Sequence, residues 1–212
     1  MPTLLHIDSS PLPGDASFSR QLSHEFVARW REAHPGSTVI TRDLTTANIP
    51  VVNAEWVGAA FTPEANRTPR QHELLALSHE LIAELRTADE YVFGVPMHNF
   101  GIPAVLKLWI DQVVRSGQTF TYKSGQPVGL LQNKKATFLV ASGGSYEKDT
   151  PTEGFDFVKP YLRTIFGFIG VTDVNFIHAG GTARLSGGVD RQTIIQPALD
   201  SLHVLFEHAQ HA

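Results

Sequence analysis

The feature that most constrains this chain is a fivefold alternation of short apolar runs and helical patterns. The apolar runs span residues 3–8, 37–44, 91–95, 135–141 and 174–179. The helical patterns run from about 18 or 19 to 32, 68 to 87, 103 to 116, 159 to 169 and 194 to 209, with a shorter one near 54–60. Runs as apolar as Tyr91-Val92-Phe93-Gly94-Val95 have no polar face to give to water, so they read as strands buried on both sides. Strand–helix alternation predicts an α/β fold: one doubly wound parallel sheet, helices on both faces and right-handed crossovers. Five strands suit the order 2-1-3-4-5, whose ligand crevice opens between strands 1 and 3. A length of 212 residues without an internal linker predicts a single domain over residues 1–212.

Local signals fix several boundaries. Ser17 or Ser19 caps the first helix, whose apolar face is Leu22, Phe26, Val27 and Trp30. Thr68-Pro69-Arg70-Gln71 is a capping box with proline in the first turn. Leu74, Leu77, Leu81, Ile82 and Leu85 are predicted to be the buried face of the helix it starts. Residues 119–122 and 128–131 flank Lys123-Ser124-Gly125-Gln126-Pro127 and form a hairpin-like excursion outside the sheet.

Three short loops leave the C-terminal ends of strands 1, 3 and 4. The first holds Ser9, Ser10, Ser17 and Ser19 and ends at a helix N-terminus, where free amides and the helix dipole favour an anion. Arg20 is its one cationic side chain, so a phosphate monoester there would rest on hydroxyls and amides. Taken alone, the same serines also serve as ordinary caps and turns. The second loop, Pro96-Met97-His98-Asn99-Phe100, offers apolar side chains for a ring face and an amide for a polar ring edge. The third, Ser142-Gly143-Gly144-Ser145, lets backbone approach a ligand closely, or is a plain flexible turn.

Other chemistries are poorly supported. The chain has no cysteine, which removes disulfides, thiolate catalysis and cysteine-ligated metals. It has neither a Gly-x-Gly-x-x-Gly turn nor a Walker phosphate loop. A net charge of −4 gives no basic surface for nucleic acid or membrane. There is no signal-peptide pattern and no apolar stretch long enough to span a bilayer, so a cytoplasmic location is expected. His203, His208 and His211 read as a solvated tail, with no metal expected, and His178 has no partner visible in the sequence.

With those loops in place, the chain resembles the flavodoxin-like FMN-dependent NADH azoreductases, also called NADH:quinone oxidoreductases. The similarity runs nearly end to end. It is most specific in Pro96-Met97-His98-Asn99-Phe100, in residues 160–162 and 168–174, and in the Thr68-Pro69-Arg70-Gln71 helix start with the 74–85 leucines. The resemblance implies FMN phosphate binding by Ser10, Ser17, Phe18 and Ser19. It implies isoalloxazine contacts from Pro96, Met97, His98, Asn99 and Phe100, and from Ser142, Gly143, Gly144 and Ser145. Tyr122 matches a substrate-side aromatic. The family often has tyrosine where this chain has His98, and arginine or glycine where it has Gly143 and Ser145; Ile165 stands where phenylalanine also occurs in the family.

The implied activity is hydride transfer from NADH or NADPH to FMN, followed by two-electron reduction of a quinone or azo compound in ping-pong order. No side chain need act as a nucleophile. A flavodoxin-like electron carrier serving a protein partner is the alternative, although such carriers are usually far more acidic. The resemblance also implies a homodimer. Val105, Leu106, Leu108, Trp109, Ile110, Val113 and Val114 spread around the 103–116 helix, and the face turned from the sheet would be covered by a second subunit or, alternatively, by residues 45–67 folding back within one chain.

Overall fold

The structure is a computed structural model that describes residues 1–209, with side chains as far as Glu207. His211 and the side chain of His208 therefore lie outside the described residues. Among the described residues, seven strands form two sheets. The main sheet contains β1 (Thr3–Asp8), β2 (Thr38–Asp43), β3 (Glu90–Pro96), β6 (Lys135–Ala141) and β7 (Asp173–Ala179), all parallel. Its order is β2-β1-β3-β6-β7, the expected 2-1-3-4-5 once the excursion is left out of the count. That excursion is a separate antiparallel hairpin of β4 (Phe120–Lys123) and β5 (Gln126–Gly129).

Successive strand side chains point to opposite faces, and the core divides accordingly. Leu5, Ile7, Phe93 and Phe138 meet α3 (Pro69–Thr87), α4 (Ala104–Val113) and α5 (Val158–Ile169) on one face. Leu4, Val92 and Leu139 meet α1 (Phe18–Ala33) and α6 (Arg191–Ala209) on the other. A smaller helix, α2 (Ala54–Phe61), packs Trp56 and Ala59 on Leu75 of α3. Among the described residues, no helix is long and apolar enough to cross a membrane.

The capping box forms as expected: Thr68 accepts from Gln71 N, and the Gln71 side chain accepts from Thr68 N. The buried face of α3 includes Leu81, Ile82 and Leu85 as expected, but it is displaced by one residue in the first half of the helix. Leu75, Ser78, Leu81, Ile82 and Leu85 are buried, whereas Leu74 and Leu77 are half-buried. Ser78 can take a core position because its hydroxyl donates to Gln112 O and accepts from Arg115. Such pairing removes the cost of burying a lone hydroxyl.

The α4 expectation also needs correction. The helix ends at Val113, where the Thr119 hydroxyl donates to Val113 O and accepts from Arg115 N. Trp109 is fully buried within one chain, edge-on to Phe93, and forms no outer face. Part of the other side is covered by residues 50–56: Gln112 donates to Pro50 O and accepts from Trp56 Nε1. The apolarity of α4 therefore does not by itself call for a second subunit.

Candidate functional site

Sequence reversal in strand order occurs at β1, and the loops after β1, β3 and β6 leave the same edge of the sheet. Register ties them together. Ser9 donates through its amide and its hydroxyl to Gly94 O, at 3.1 and 2.7 Å. Met97 N donates to Ala141 O at 2.7 Å.

In the β1 loop, three hydroxyls converge on the N-terminus of α1. The Ser17 hydroxyl donates to Ser10 Oγ at 2.8 Å and lies 3.2 Å from Ser19 Oγ. Ser17 is the helix cap and accepts from Arg20 N. The first amides of any helix lack partners inside it, so Phe18 and Ser19 bring two such donors to the same place. Phe18 itself is buried beneath the Arg191 guanidinium, 3.8 Å from the ring centroid.

Arg20 does not turn to these hydroxyls. Its guanidinium donates to Ser10 O at 2.6 and 3.1 Å and pairs with Asp8 and Asp43 at 3.3 and 2.8 Å. Burial opposes ionisation of Asp8, but hydrogen bonds and charge from His6, Ser23 and Arg20 outweigh it and hold the carboxyl below its ordinary range. Asp8 Oδ2 also lies 3.4 Å from His6 Nε2 and 3.3 Å from His24 Nε2. A guanidinium on that same oxygen opposes a divalent cation there, so the cluster is an ion-pair network beneath the loop. The close approach of α1 to β3 depends on Gly94, where a Cβ would overlap Asp8 Oδ1 and crowd Ser19 O at 3.2 Å.

The β3 loop is a tight reverse turn. His98 and Gly101 exchange both backbone hydrogen bonds, at 2.9 and 3.0 Å. Asn99 and Phe100 between them have φ of 48° and 68°. Asparagine tolerates this region, but phenylalanine there is an outlier of the kind that clusters at functional sites. The strain presents Phe100 outward, 46% exposed, with Tyr146 and Phe155 at ring separations of 6.2 and 5.4 Å. The His98 side chain is exposed, so the backbone is what this position contributes to the turn.

The β6 loop shows the most directed geometry. Ser142 O accepts from Thr182 N and Oγ1, Gly143 O from Ala183 N, and Gly144 O from Gly181 N. Three successive carbonyls thus point at residues 181–183. A trans peptide sets each N–H opposite the preceding carbonyl, and no peptide bond here is cis. The amides of Gly143, Gly144 and Ser145 therefore all point away from that segment, and none has a protein acceptor among the described residues. Such a row of parallel donors suits an electron-rich edge.

Tyr122, expected on the substrate side, lies on β4 and is 60% exposed. Two features escaped sequence reasoning. One is the 181–183 support, which no local motif marks. The other is His178 on β7, whose Nε2 lies 2.7 Å from Ser142 Oγ. The register Val140↔His178 brings them together, and only a strand alignment could have shown it. His203, expected in a solvated tail, pairs with Arg29 and Glu207.

Residues 2–205 match the family model described as flavodoxin-like fold. The FMN-dependent NADH:quinone oxidoreductase of Acidobacterium capsulatum is 56% identical over 200 residues, covering 94% of this chain and 96% of that protein. FMN-dependent NADH:quinone oxidoreductase 3 of Burkholderia lata is 46% identical, covering 96% and 98%. Among solved structures, an azoreductase from Bacillus anthracis superposes with a TM-score of 0.87 at 29% identity, covering 97% of this chain and 99% of that one.

Proposed function

The chain belongs to the flavodoxin-like family of the FMN-dependent NADH:quinone oxidoreductases, and from that membership we propose that it binds FMN and uses NADH to reduce quinones and azo compounds by two electrons. The observation that carries this reading is the pairing of two donor sets at one sheet edge: three convergent hydroxyls at a helix start, and three parallel amides after β6. The first suits a phosphate and the second the polar edge of a flat heterocycle, so the residues fit FMN. When bound, FMN would accept hydride from NADH and release two electrons to the acceptor, its pyrimidine edge gaining negative charge.

The protein binds and orients. Ser10, Ser17 and Ser19, with the amides of Phe18 and Ser19, would hold the phosphate without a cationic clamp, since Arg20 is engaged by Asp8, Asp43 and Ser10 O. Pro96, Met97, His98, Asn99 and Phe100 would border the ring on one side. The amides from Gly143 to Ser145, with Ser142 behind them, would face its polar edge and stabilise added charge there. Phe100 and Tyr122 would meet the acceptor. Substrates alternating over one ring face would give ping-pong kinetics. The whole chain would act as one FMN-binding unit in the cytoplasm.

A homodimer belongs to the proposal, resting on an exposed apolar cluster instead of α4. Phe100, Phe155 and Phe157 are 46%, 50% and 59% exposed, and Phe157 N donates to Phe100 O. A two-fold partner covering them would wall the site. The test of function is direct: under anaerobic conditions, FMN-loaded protein should oxidise NADH beyond one equivalent only when a quinone or azo dye is present to accept the electrons.

A further inference from the structure

We infer that His178 is a positioning residue for the cofactor edge, acting through Ser142 and the Gly144 carbonyl to fix the direction of the Ser145 amide. The inference rests on the reading of the β6 loop as a flavin contact and adds a residue that nothing in the loop sequence marks.

Proton accounting sets the direction of the chain. Ser142 Oγ lies 2.7 Å from Gly144 O and 2.7 Å from His178 Nε2. A carbonyl can only accept, so the single hydroxyl proton goes to Gly144. The hydroxyl must then accept from His178, which places the imidazole proton on Nε2. His178 therefore orients the hydroxyl, and the hydroxyl with Gly181 N holds the Gly144 carbonyl from two sides. The opposite end of that peptide is the Ser145 N–H, which is turned outward as a consequence.

The imidazole does this without bringing charge. Burial first, and then Lys159, lower its pKa to about 4, against weaker opposing effects of Asp156 and Glu147. His178 is thus neutral at pH 7, with one donor and one acceptor nitrogen. Its ring is held at Nε2 by the Ser142 hydroxyl. A fixed neutral donor behind a row of amides is preorganisation of the kind that stabilises developing charge without reorganisation.

The test compares His178→Leu, which removes the donor, with His178→Gln, which keeps an amide N–H of similar reach. With FMN bound, the leucine variant should bind the reduced cofactor about tenfold less well relative to the oxidised one. For a two-electron couple that lowers the midpoint potential by about 30 mV. The glutamine variant should keep most of the wild-type potential, and Ser142→Ala should match the leucine variant. The double variant should fall no further, because the two residues act in series. Unchanged potential in His178→Leu with FMN bound would overturn the inference, as would equal losses in the leucine and glutamine variants, which would mean packing alone. If leucine prevents folding, Ser142→Ala decides.

Nitrogen NMR of FMN-free wild type gives an independent readout. The His178 ring should show the Nε2–H tautomer at neutral pH, and an Nδ1–H tautomer would overturn the inference. Failure of the wild type to bind FMN would instead defeat the cofactor reading, while the tautomer would still report on the hydrogen-bond chain.

Discussion

Replacing Ser17 with alanine separates the two roles of the β1 loop. The side chain is buried, caps α1 through Arg20 N at 3.3 Å, and donates to Ser10 Oγ at 2.8 Å. Loss of the cap should cost about 1 kcal/mol of stability. In a chain of this size that lowers the melting temperature of the FMN-free protein by about 2–4 °C. Loss of a hydrogen bond to a charged phosphate should cost a further 1.5–3 kcal/mol, or about 10- to 150-fold in FMN affinity. Riboflavin has the same ring and no phosphate. Calorimetric titration with both ligands therefore isolates the phosphate term, because loop loosening through the lost cap affects both. The expected result is a large loss for FMN and a change of less than about threefold for riboflavin. Equal losses, or equal affinities in the wild type, would refute assignment of the serine loop to a phosphate.

Other outcomes follow from named contacts. Gly94→Ala should push Asp8 from Ser23 and α1 from β3, costing about 1–3 kcal/mol in denaturant unfolding and weakening FMN binding. His178 is shifted downward to about 4, so the unfolded chain binds more protons between that value and about 6.5 and stability falls on acidification across the window. That loss is at most about 3 kcal/mol, and His178→Gln should flatten it in pH-dependent thermal melts. Sedimentation velocity should show a dimer that Phe157→Glu weakens without unfolding the chain, since this ring is 59% exposed. Trp109→Glu would instead place a charge in the core and unfold the protein, so it cannot report on assembly.

Much of the fold was legible because its signals are local. Residues 135–141 form an apolar run bounded by turn formers and lysines, and β6 has those same limits. Thr68 and Gln71 satisfy each other's backbone, so the start of α3 could be read from four letters. What failed was partnership across the chain. Ser78 was not counted in the buried face of α3, because its partners, Gln112 and Arg115, are more than 30 positions away. The apolar run of α4 did not show which of its residues face the sheet, as Trp109 does against Phe93, or whether residues 50–56 cover the opposite side, which the contacts of Gln112 with Pro50 and Trp56 decide in part. At the site, loop chemistry singled out Ser10, Ser17, Ser19 and the Ser142-Gly143-Gly144-Ser145 loop. The direction of the amides did not come from those residues. It comes from carbonyls anchored on residues 181–183, and that requires the register of β6 with β7.

The central claim is that this one chain with FMN moves electrons from NADH to a small acceptor. Anaerobic addition of NADH to the FMN-loaded protein should bleach the visible flavin absorbance. Subsequent addition of a soluble quinone should restore it, with one quinone consumed per NADH. Bleaching by NADH that no quinone or azo dye reverses, although FMN stays bound, would contradict the account and favour an electron carrier that serves a protein partner.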